Sequence, residues 1–166
     1  MIKNNPHKES TPRTDLQRAD FEHRAIWCGL LIDEARKAGL STEFAHNAIR
    51  RCGVFHGTQK LPQTDDLKVF AEAFANEDVI NSFEMEILEN DGQHLYIDFH
   101  YCPLVSGWVK VGVPEEELEE LCDIAMDGDR GIVDTHPNWE FELGKTIAKG
   151  DDVCEIRIRK LRELDE

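Results

Sequence analysis

Two hydrophobic periods divide the chain. From Asp15 to Ala38 the apolar residues Leu16, Ala19, Ile26, Trp27, Leu30, Leu31, Ala35 and Ala38 recur at helical spacing, which predicts a helix that packs its apolar side on a core; Gly39 ends it. Ser41 is placed to cap a second helix running to about Arg51, with Gly53 as its stop. Residues 55–64 contain Gly57 and Pro62 and read as a loop. Asp65 or Asp66 then starts a third helix through Leu67, Val69, Phe70, Ala73 and Phe74.

Beyond residue 82 the period becomes two. Phe83, Met85 and Ile87 alternate with Glu84 and Glu86, predicting a half-buried strand, and Asn90, Asp91 and Gly92 supply a hairpin turn. The return strand places Leu95, Ile97, Phe99 and Tyr101 on one face and Tyr96, Asp98, His100 and Cys102 on the other. Pro114 and the three glutamates after it open a helix, because both suit the free N–H groups of a first turn. Its stripe is Leu118, Leu121, Cys122, Ala125 and Met126. Trp139, Phe141 and Leu143 alternate with Glu140 and Glu142, and Cys154, Ile156 and Ile158 alternate with Glu155, Arg157 and Arg159. The expected fold class is α+β: N-terminal helices packed on a roughly four-stranded antiparallel sheet, with one helix inserted between the strand pairs. Residues 1–13 read as a disordered leader and 14–166 as a single domain.

Composition narrows the function. With 34 acidic residues against 19 Lys plus Arg, the net charge of −15 repels nucleic acid and anionic membranes, so neither is expected as a partner. No apolar run approaches a membrane span, and no apolar stretch follows the basic N-terminus as a secretory signal requires. Five widely spaced cysteines without a CxxC pair point to a reducing, cytoplasmic setting. Cys28 and Cys52 read as small apolar packing groups. A small-molecule substrate is the expected partner, with homo-oligomerisation left open.

Chemistry concentrates at two places. On the strand, a period of two puts Asp98, His100 and Cys102 on one side, where His100 and Cys102 can form a nucleophile–base pair and Asp98 can orient the ring. The plain alternative is the wet face of an ordinary sheet. On the helix, Asp129 lies in step with Cys122 along the buried stripe, and a carboxylate there needs a partner. Arg130 is adjacent. His100, Cys102, Cys122 and Cys154 are also a zinc-type donor set, with Asp129 as a substitute ligand, although the short spacings typical of zinc sites are missing. Zinc is thus the one cofactor the residues admit. Phosphate loops, GxSxG elbows and HExxH are absent from the sequence.

Three ordered strings, FHYCPLV (99–105), LCDIAMDGDRGI (121–132) and KTIAKGDDVCEIRIR (145–159), resemble the L-2-amino-thiazoline-4-carboxylic acid hydrolase family. The resemblance implies hydrolytic opening of a cyclic amidine or isothiourea: water adds to the carbon between nitrogen and sulfur, and the carbon–sulfur bond opens to an N-carbamoyl amino acid. That reaction needs a base, an acid and a cation for the substrate carboxylate. His100, Cys102 and Asp129 are the expected catalytic residues. Arg130 is expected on the substrate carboxylate, then Lys145, with Cys122 and Cys154 lining the same pocket. The closing Gly-Asp turn and basic strand also look like small-molecule-binding domains of the vinyl-4-reductase type, so binding or sensing without turnover is the competing expectation.

Overall fold

A computed structural model describes residues 1–161; residues 162–166, the end of the expected domain, lie outside the described residues. The described residues form six α-helices and four strands: α1 (Pro12–Lys37), α2 (Glu43–Gln59), α3 (Leu67–Phe74), α4 (Glu77–Phe83), β1 (Met85–Asn90), β2 (His94–Phe99), α5 (Pro103–Lys110), α6 (Glu115–Asp134), β3 (Trp139–Leu143) and β4 (Cys154–Lys160). A short 3₁₀ turn, Ile147–Lys149, joins β3 to β4. The α+β class is as expected. All strand pairs are antiparallel in the order β1-β2-β4-β3, which seats β2 and β4 together at the centre.

The sheet has one dry face. Leu95, Ile97, Ile156 and Ile158 are fully buried beneath the helices, with Phe99 and Cys154 at the same edge of the layer. The other face carries ion pairs: Arg157 Nη2 meets Asp98 Oδ1 at 2.7 Å, and Arg159 meets Glu140 and Glu142. This is the alternation that an antiparallel sheet with one wet face requires.

Several local expectations are corrected. The apolar side predicted for α1 is not the buried one: Thr14, Arg18, Ala25, Gly29 and Ile32 face inward, while Leu16, Trp27, Leu30 and Leu31 are exposed. Apolar residues ring this helix on all sides, so their spacing selects no face. Helix α2 does not stop at Gly53 but runs to Gln59, taking in the first half of the segment expected as a loop; residues 60–64 do form the expected connection. Gly53 is there for contact: a Cβ on it would lie 2.0 Å from the Gly128 carbonyl oxygen of α6. Two helices, α5 and α6, rather than one, separate the strand pairs, and Phe83 ends a helix instead of starting a strand. Between them Glu84 turns the chain with φ 49°, a left-handed conformation uncommon for a side-chain-bearing residue. Ile87, expected inward, is 42% exposed at the residue before a register shift in β1.

Residues 1–11 form neither helix nor strand, yet they are tied down. The Asn4 amide donates to the Cys102 carbonyl at 2.8 Å and accepts from the Cys102 N–H at 2.9 Å. The N–H groups of His7 and Lys8 donate to the buried Glu84 carboxylate, which also receives Arg18. No helix among the described residues is long and apolar enough to cross a membrane.

Candidate active site

Helix α1 packs on α5, and α2 packs along α6. Between these pairs and the dry face of the sheet lies a cavity of about 340 Å³. Most of its wall is apolar, including Phe21, Phe74, Phe83, Phe99, Trp108 and Met126. Arg24, His56, Lys60, Asn76 and Asp129 interrupt that wall. Asn76 is committed, because its side chain caps α4 by accepting from the Val79 N–H. The side chains of Arg24, His56, Lys60 and Asp129 make no hydrogen bond or ion pair among the described residues.

Asp129 enters this cavity for the reason its spacing gave: it continues the stripe of Cys122, Ala125 and Met126 along α6. Burial pushes its carboxyl up to about 6, against the opposing pull of the Arg24 and Arg130 charges. A carboxyl with a value near the working pH can both give and take a proton. Arg24 projects from α1 with its guanidinium 5.0 Å from the Phe21 ring centre. Together with Lys60 it makes the cavity wall receptive to an anion.

Six wall residues (Phe83, Phe99, Leu104, Trp108, Ala125 and Met126) also line a second void of about 20 Å³. Its wall includes the thiols of Cys102, Cys122 and Cys154, which the sequence could only group by chemistry. Burial raises all three, Cys102 to about 11 and Cys122 to about 12, so they are held as neutral thiols. Cys154 Sγ accepts the Ile147 N–H at 3.3 Å.

The expected pairing of His100 with Cys102 is not formed. Pairing between β1 and β2 ends at Met85 opposite Phe99, and the chain then leaves the strand. Alternation lapses there, so Cys102 turns inward with Phe99 while His100 points out, its Nε2 2.9 Å from Glu86 Oε2. Asp98 is held by Arg157. Arg130, expected on a substrate carboxylate, instead grips Asp123 and Asp127 at 2.6 and 3.1 Å. Asp127 in turn meets His46 of α2 at 2.6 Å, so this cluster ties α6 to α2. Lys145 lies near Glu155 and lines neither void. The zinc-type set is split, with His100 outside and the thiols inside. Among the described residues, the three donors whose ligand atoms come within 4.8 Å of one another are Glu89, Asp91 and His94 on the hairpin. Cys28 lines the main cavity, and Cys52, expected as packing, lines its mouth as an exposed residue.

Arg24, His56 and Lys60 were missed by sequence reasoning. A signal existed for the first: Phe21, Arg24, Ala25 and Cys28 recur at helical spacing and all line the cavity.

The fold is shared with a solved structure, a trafficking protein particle complex subunit 3 from Naegleria fowleri covalently bound to palmitic acid. The likeness has a TM-score of 0.55 at 20% identity and covers 90% of this chain and 99% of that one. It concerns the fold alone. No curated protein matches the chain. The model of one family, L-2-amino-thiazoline-4-carboxylic acid hydrolase, matches residues 18–158. That span holds both walls of the cavity, from Arg24 on α1 to Asp129 on α6, as well as all of the sheet but the end of β4, and the chain belongs to the L-2-amino-thiazoline-4-carboxylic acid hydrolase family.

Proposed function

We propose that this protein is a hydrolase that opens a cyclic amidine or isothiourea bearing a carboxylate, and that the cavity beneath α1, α2 and α6 is its active site. One observation carries the reading: Asp129 presents an unpartnered carboxyl of raised pKa to a mostly apolar cavity. Arg24 binds the substrate carboxylate, a task its planar fork suits. Asp129 in its acid form gives its proton to the ring nitrogen, and the resulting carboxylate takes one from the water that adds to the carbon between nitrogen and sulfur. Collapse repeats the exchange. The carbon–sulfur bond breaks, the sulfur takes the Asp129 proton, and the hydroxyl proton returns to Asp129 as the carbonyl forms. One water is consumed and an N-carbamoyl amino acid with a free thiol leaves.

Incubation with 2-amino-thiazoline-4-carboxylate, followed by thiol titration and mass spectrometry, tests this directly. One equivalent of thiol per carbamoyl product supports the reaction; unchanged thiazoline after prolonged incubation sinks it.

A second reading, ligand binding without turnover, is favoured by the apolar character of the wall. A protein of similar fold is described as covalently bound to palmitic acid, which lends that reading support. It predicts saturable binding with no product.

A further inference from the structure

The cavity is polarised. Its charged residues line the main space only, whereas the wall shared with the smaller void is apolar throughout. At about 340 Å³ it also falls in the range of roughly 300–1,000 Å³ that encloses ligands of drug size, and a single five-membered ring acid is smaller than that. Such a ring held at Arg24 and Asp129 leaves the apolar end empty or filled by water. Buried water needs two to four polar partners, about the number of hydrogen bonds it makes elsewhere. Phe99, Leu104 and Met126 offer none.

We propose that the substrate class of this cavity is a carboxylate carrying an extended apolar body, its charged end at Arg24 and its apolar end against Phe99 and Met126 at the entrance to the thiol-lined void. The inference rests on the cavity being the active site, and it narrows which cyclic amidines suit it: those with an aliphatic or aromatic substituent rather than the bare ring acid.

Straight-chain carboxylates probe the geometry without chemistry. Calorimetric titration with butanoate, hexanoate, octanoate and dodecanoate gives affinities that climb by up to about fourfold per methylene while the chain still finds apolar wall, then level off. Ala125→Leu, which narrows the shared wall, makes the series level off at a shorter chain; Ala73→Leu on α3, which narrows the main cavity, does the same should the first variant fold poorly. Arg24→Gln weakens every member by a similar factor and leaves the length dependence intact. Octanoate binding no tighter than butanoate overturns the proposal, as does a plateau that ignores both narrowing variants. Turnover of the thiazoline acid by the same preparation keeps the two ideas apart. Turnover beside a flat series sinks this inference alone, whereas a rising series without turnover sinks the hydrolase reading and leaves the ligand class standing.

Discussion

His100 and Cys102, two residues apart, face different media: His100 bonds Glu86 in solvent, and Cys102 is buried beside Cys122 and Cys154. They share no contact through which one could activate the other. His100→Ala is therefore expected to keep turnover of the thiazoline acid within about threefold of wild type. Cys102→Ala should likewise leave catalysis nearly unchanged but lower stability by about 0.5–3 kcal/mol, because loss of the buried sulfur enlarges the void. Steady-state rates and urea unfolding of both variants check this pair of outcomes.

Thiol reactivity should sort by position. Cys52 is exposed, whereas Cys102, Cys122 and Cys154 are buried and held neutral by desolvation. An aromatic disulfide reagent at pH 8 is expected to modify Cys52 first and to reach those three only after unfolding. Mass mapping of the labelled peptides decides it.

Glu84 is the buried anchor of the N-terminal arm. Burial pushes its carboxyl up, but hydrogen bonds from His7, Lys8 and Arg18 outweigh that and hold it below the ordinary carboxylate value. A carboxylate with a lowered folded pKa stabilises the protein above its unfolded value, about 4.3, and that contribution fades as pH falls through the folded value. Glu84→Gln should therefore destabilise the protein by about 3–5 kcal/mol at pH 7, since Arg18 loses its buried partner. The difference from wild type should shrink below about pH 4. Denaturant midpoints across pH 3–7 test both the size and the sign.

The α2–α6 crossing sets another test. A Cβ at Gly53 meets Gly128 backbone, and one at Gly131 lies 2.2 Å from the Arg50 carbonyl oxygen. Backbone cannot swing aside as a side chain can. Gly53→Ala is expected to cost about 3 kcal/mol or more, measured by thermal or urea unfolding.

These residues also show what the sequence could reveal. The closing strands were legible because Trp139–Leu143 and Cys154–Arg159 alternate without a slip, and α6 because Pro114 and three glutamates mark its start. Helix α5 (PLVSGWVK) was not, since a short apolar run after a proline has no period long enough to distinguish helix from strand. Asp129 was legible from its place on a stripe. Arg24 was overlooked because apolar and charged residues are spread round every side of α1, so the spacing alone did not set this exposed arginine apart as one that lines a cavity. Cys102 was misplaced because period-two reasoning holds only while the strand continues, and tertiary pairing ends it at Phe99.

In the proposed reaction Asp129 moves the proton. Its carboxyl, raised to about 6, is protonated in the folded state at pH values where the unfolded chain has already ionised. Stability conferred by the neutral acid is thus lost as pH rises from about 4 to about 6, and the Asn variant escapes that loss. The decisive measurement is the pH–rate profile of wild type beside Asp129→Asn. Wild-type kcat/KM should fall as pH rises through about 6. The variant should lose about 10²-fold or more in turnover and show no such break, while remaining at least as resistant to urea at pH 7. A variant that turns over thiazoline acid within a few-fold of wild type, or that keeps the break near 6, contradicts that role for Asp129.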